Sequence, residues 1–137
     1  MRKIYLACPY SDENLNVCEW RTVMADRAAA KLMEKGNAVF SPISHSHRIA
    51  HHIKNHLVHS FWLDQDLTFF VWADELNVFQ LPEWDNSTGV NMEVGKASEM
   101  GIPVKYINPY EMFGFQYKVW LNEYNTLIRN KVVVKAA

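Results

Sequence analysis

The chain has 137 residues, which suits one domain, and its 49% apolar and 13% aromatic content supplies one core. A formal net charge of −1 gives no chain-wide attraction to DNA, RNA or an anionic membrane, so neither a polymeric nucleic acid nor a membrane is an expected partner. No apolar stretch approaches the roughly 20 residues of a membrane span, and MRKIYLACPYS carries too short an apolar run for a signal peptide, so Cys8 and Cys18 read as free thiols of a cytoplasmic protein.

Lys3 to Ala7 (KIYLA) is a short β-prone run ended by Pro9. Asp12 or Asn14 can cap a helix that continues to Lys35, with Val17, Met24, Ala28 and Leu32 at helical spacing and Gly36 as its terminator. Ala38 to Ser41 is a second strand, stopped by Pro42, and SPISHSH is the loop that follows it. Ser44 to Ser60 is polar and holds all six histidines. A helix from about Phe61 to Ala73 leads to a third strand at Leu76 to Leu81. Pro82 to Thr88 is a loop, Gly89 to Met100 a helix closed by Gly101, and Pro103 to Ile107 a fourth strand. The tail adds a helix near Tyr117 to Arg129.

Strands separated by helices imply a mostly parallel sheet of four to five strands, covered on both faces with right-handed crossovers. The expected fold is therefore a single-domain α/β three-layer sandwich of flavodoxin or Rossmann type over residues 1–137, with 108–137 as a C-terminal helical extension. Ligands of such sheets sit beyond the carboxyl ends of the strands. That selects Cys8 to Ser11, Ser41 to His47, and Pro82 to Glu93.

In the last of these, Ser87, Thr88 and Gly89 lie at a helix start, where free amides and the helix dipole can hold an anion or Ser87 can act as a plain cap. Gly89 lets a ligand approach the backbone. Glu93 follows one turn later, at the edge of an apolar stripe made by Val90, Val94 and Ala97, and the helix N-terminus favours its ionised form. Spacing alone leaves Glu93 open to being an ordinary helix-surface glutamate.

The ordered segments IYLACPYS, SPISHSH, ADELNVFQLPEW and STGVNMEVGKASEMGIPV resemble the nucleoside 2-deoxyribosyltransferase superfamily, which includes 2′-deoxynucleoside 5′-phosphate N-hydrolases. The most specific part is the spacing from Ser87 through Gly89, Val90, Glu93 and Gly95 to Ala97. The resemblance implies that Glu93 is a nucleophile and that Asp74 handles the base or assists proton transfer. It also implies that Ser87 lies where phosphate-accepting members carry serine, and that Tyr10 lies in a loop over the sugar or its phosphate. The loop CPYSDEN departs from the Gly-rich, Arg-containing turn of phosphate-accepting members.

The expected chemistry is attack by Glu93 on the anomeric carbon as the base departs, with water or a second base resolving the glycosyl-enzyme. Asp74 is the candidate acid, with Asp64 and Asp66 as alternatives. Cys8, Tyr10, Ser41, His45, His47, Trp84, Ser87 and Gly89 are the candidate substrate contacts. His47 and His51, like His52 and His56, are spaced to share a helix face, but no ligand motif accompanies them, so neither a metal nor a cofactor is expected. A small nucleoside or nucleotide is the expected partner, in a homodimer or larger homo-oligomer as the resemblance implies. A non-catalytic nucleotide-binding domain is the competing reading.

Overall fold

The computed structural model describes the backbone of residues 1–136 and the side chains of residues 1–130. Strand β1 is Lys3–Ala7, helix α1 Leu15–Glu34, strand β2 Ala38–Phe40 and helix α2 Pro42–Ala50. Helix α3 is His59–Phe70, strand β3 Glu75–Phe79, helix α4 Thr88–Glu99 and strand β4 Val104–Ile107. Helices α5 (Pro109–Phe113) and α6 (Phe115–Ala136) complete the chain. The sheet is all parallel in the order β2-β1-β3-β4, with Tyr5 in register with Phe40 on one side and Leu76 on the other.

Strand β1 has covered neighbours on both edges and both faces, which is why it reads as an unbroken apolar run. Its side chains alternate between the two cores. Ile4, Leu6 and Cys8 meet α1, Phe79 and the α6 residues Tyr117 and Tyr124. Tyr5 and Ala7 meet Phe70, Leu76 and Val78, with Val90 and Ala97 of α4. The result is the expected three-layer α/β sandwich. From β1 the chain first builds outward to β2, then crosses back to β3 on the other side of β1. Loops leaving β1 and β3 therefore part at their carboxyl ends and open a crevice there.

Element positions follow the sequence closely, with one substantive correction. SPISHSH is not a loop. Ser41 is the N-cap of α2, its Oγ accepting from the Ser44 amide at 3.3 Å, and Pro42 occupies the first turn, where its missing N–H costs nothing. The histidine-rich stretch is accordingly split: α2 ends at Ala50, turns follow, and His59 opens α3. The tail forms two helices where one was expected. Gly36, at φ 95°, ends α1 in the left-handed region that only glycine enters freely. No helix among the described residues is long and apolar enough to cross a membrane.

Candidate active site

Glu93 is buried in α4, at 8% exposure, along with Val90 and Ala97. The buried stripe of this helix thus runs 90, 93, 97 and includes the glutamate itself, while Val94 is only partly buried. A carboxylate in such a position needs a partner. The partner is Tyr5, which β1 delivers from the middle of the sheet: its hydroxyl donates to Glu93 Oε2 at 2.5 Å. Asp66 of α3 lies against the same hydroxyl. Burial raises the Glu93 carboxyl to about 8, against a lowering by the Tyr5 hydrogen bond and a further rise from the Asp66 charge. Desolvation outweighs the helix dipole, which corrects the expectation of a readily ionised group. Burial likewise raises Asp66 to about 6. The Tyr5 hydroxyl is pushed far above its ordinary range, by burial first and the Glu93 charge second.

Tyr5 has one hydrogen and gives it to Glu93. A protonated Asp66 can give its own hydrogen to the Tyr5 oxygen. The resulting chain, Asp66 to Tyr5 to Glu93, holds one proton between two carboxyls: the higher value of Glu93 keeps it mainly there, and the form with Asp66 protonated and Glu93 ionised is the minor one. Titration then belongs to the trio and not to one residue.

The crevice around Glu93 has a volume of about 620 Å³, within the range that encloses small organic ligands. Among the expected contacts, Cys8, Tyr10, His47, Ser87 and Gly89 line it, with Asp66 and Glu93. Burial and the Glu93 charge keep the Cys8 thiol protonated. Ser87 Oγ accepts from the Val90 amide at 3.2 Å as the N-cap of α4, and its own hydrogen remains to be given elsewhere. His51, His56 and His59 stand exposed at the rim. Glu83, also on the rim, adopts φ 70°, a left-handed conformation that costs a non-glycine residue about 1 kcal/mol or more.

Four expected site residues lie elsewhere. Asp74 precedes β3 at the amino-terminal edge of the sheet, where its Oδ2 accepts from the Lys3 amide at 2.8 Å. A strand separates it from the crevice, so Asp66 takes the place beside Glu93. Ser41 is spent on capping α2. His45 packs against Phe40 and Phe69, with ring centroids 5.5 and 6.2 Å away, on an outer groove between α1 and α2. Trp84 packs on Tyr106 at 5.5 Å and on the α4-side core.

Sequence reasoning missed Tyr5, whose hydroxyl is hidden in a run that reads as pure core. It also missed Arg21. That side chain is only 4% exposed, and its Nη1 donates to the carbonyls of Tyr10 at 3.2 Å and Ser11 at 2.9 Å. The first loop, which has no arginine of its own, is therefore pinned by a guanidinium from α1. Among the described residues no group of three His, Cys, Asp or Glu side chains could hold a metal ion.

The sequence model of a family described as "Domain of unknown function (DUF1937)" matches residues 2–108. Comparison with curated proteins gave no match. Among solved structures, a chain described as a 2-deoxyribosyltransferase from the psychrotolerant bacterium Bacillus psychrosaccharolyticus is similar at a TM-score of 0.56 and 27% identity, over 76% of this chain and 70% of that one. The expected likeness to the nucleoside 2-deoxyribosyltransferase superfamily is thereby met.

Proposed function

The chain belongs to the DUF1937 family, and from that premise we propose that it cleaves or transfers the N-glycosidic bond of a nucleoside or nucleoside 5′-monophosphate, with Glu93 as nucleophile. The likeness to a deoxyribosyltransferase supports nucleoside chemistry at a coarse level. The observation that carries the finer reading is the buried hydrogen bond from Tyr5 to Glu93, with Asp66 on the same hydroxyl. A protein that only bound nucleotides would gain nothing from placing one buried and one half-buried acid in its ligand crevice, where they would repel phosphate.

In this mechanism the ionised Glu93 attacks the anomeric carbon and stabilises the oxocarbenium-like charge that builds there as the base leaves. Tyr5 holds the carboxylate in place and releases part of its negative charge to the reacting carbon as the bond forms. In the minor form of the singly protonated pair, with the proton on Asp66 instead of Glu93, Asp66 is the acid within the crevice that can protonate the departing base. Water or an incoming base then attacks the glycosyl-enzyme, and Asp66 acts in the reverse sense.

The test is incubation with deoxy- and ribonucleosides and their monophosphates, with and without a second base. Release of free base identifies a hydrolase and base exchange a transferase. Glu93→Gln is expected to cost about 10³-fold or more, and Asp66→Asn about 10²-fold on unactivated bases, whereas Asp74→Asn leaves turnover unchanged. Absence of turnover across the whole panel would sink the reading.

A further inference from the structure

His47 stands in the wall between two clefts. It lines both the crevice that holds Glu93 and the outer groove between α1 and α2. Its two ring nitrogens are both engaged. Nδ1 lies 2.7 Å from the Tyr10 hydroxyl, and Nε2 lies 2.7 Å from Glu19 Oε2. Glu19 belongs to α1 and is well exposed, at 63% for its side chain, while that of His47 is 13% exposed.

The hydrogen-bond roles follow from what each group can do. An ionised carboxylate only accepts, so Nε2 must carry a hydrogen to bind Glu19. With the ring neutral, that is its one N–H, so Nδ1 is bare and takes the hydrogen of the Tyr10 hydroxyl. The Tyr10 oxygen is then left with lone pairs alone for the crevice. Arg21 keeps the backbone of this loop fixed through the Tyr10 and Ser11 carbonyls. Tyr10 is thus a rigid acceptor. Asp12 and Glu83 add further acceptor atoms to the lining.

We propose that Glu19 and His47 are positioning residues that set Tyr10 as a hydrogen-bond acceptor, and that Tyr10 is a specificity residue selecting a substrate group that donates, a nucleoside hydroxyl or a base amino group. This rests on the nucleoside reading of the crevice. A merely structural role, tying α2 to α1, would need neither this polarity nor a tyrosine facing the ligand.

The test separates the two layers by measuring binding instead of turnover, on the Glu93→Gln protein at pH 8. The ligands are a 2′-deoxynucleoside and analogues that each lack one donor: the 5′-hydroxyl, the 3′-hydroxyl or the base amino group. One deletion is expected to weaken Kd about 10-fold, and to cost nothing once Tyr10→Phe is introduced. Equal losses with and without Tyr10→Phe would overturn the proposal. In the ¹⁵N spectrum of the His47 ring, the hydrogen is expected on Nε2, with its proton shifted downfield. Glu19→Ala should move that proton upfield and reduce the 10-fold selectivity. A hydrogen on Nδ1 would reverse the polarity of Tyr10 and defeat the proposal whatever the ligands do. If nucleosides bind with this selectivity but none is turned over, the enzyme reading fails and the selection by Tyr10 stands. If no nucleoside binds, both fall.

Discussion

The Glu93 carboxyl shows how one residue can be read in opposite ways from its neighbours in sequence and its neighbours in space. A position one turn into a helix favours the carboxylate, yet the same residue is enclosed between a sheet and α3, and burial raises it from 4.5 to about 8. Stability follows with a definite sign. Between these two values the unfolded chain has lost the proton and the folded chain has kept it, so folding is favoured in full below about 4.5 and loses that contribution as pH rises through about 8. Asp66, raised from 3.8 to about 6, adds a loss of the same sign over its own range. Glu93→Gln removes the larger share. Its thermal midpoint is expected to match wild type near pH 4 and to exceed it at pH 9 by about 3 °C or more, roughly 1 kcal/mol for a chain of this size. Activity has its own profile. On the proposed mechanism, protonating both carboxyls leaves no nucleophile, and ionising both leaves no acid. The pH dependence of kcat/KM is expected to be a bell whose limbs fall near 6 and 8, and a simple rise to a plateau would exclude the shared proton.

At the scale of elements, α2 decides which of the polar residues after β2 can reach a ligand. Had Ser41 to His47 been a loop, Ser41, His45 and His47 could all have turned toward the crevice. Once Ser41 and Pro42 start a helix, side chains three and four apart share a face, and His47 turns inward while His45 rests on Phe40. Ser41→Ala is expected to lower stability by about 1 kcal/mol through the lost cap, with turnover intact, as read by denaturant unfolding alongside the base-release assay. The caps of α1 at Asn14 and of α4 at Ser87 were legible because serine and asparagine announce themselves before an apolar period. The cap of α2 was hidden because proline and histidine also suit a loop.

At the scale of the whole molecule, the crevice joins parts that are far apart in the chain: the β1 loop, the turns after α2, α3, and the start of α4. A ligand that touches all of them ties the two core layers together. A nucleoside at about 100 times its Kd is expected to stabilise the fold by about 2.7 kcal/mol, seen as a thermal shift, while free base or free sugar gives less because each spans only part of the crevice. The alternation of apolar runs with periodic segments was sufficient to specify the parallel sandwich, because burial on both faces and a period of 3.6 are local properties of the chain. The spacing from Ser87 to Ala97 likewise singled out the helix that carries the acid. Which acid lies beside Glu93 was not local. Asp66 and Asp74 are eight positions apart in the sequence and both precede β3, but Asp66 lies within α3, whose docking brings it to Tyr5 and the crevice, whereas Asp74 lies past the end of α3, beside the Lys3 amide. The same holds for Tyr5, Arg21 and the Glu19–His47–Tyr10 chain. Their partners lie on other elements, and hydrogen bonds between elements depend on how helices dock, which no pattern along a single chain records.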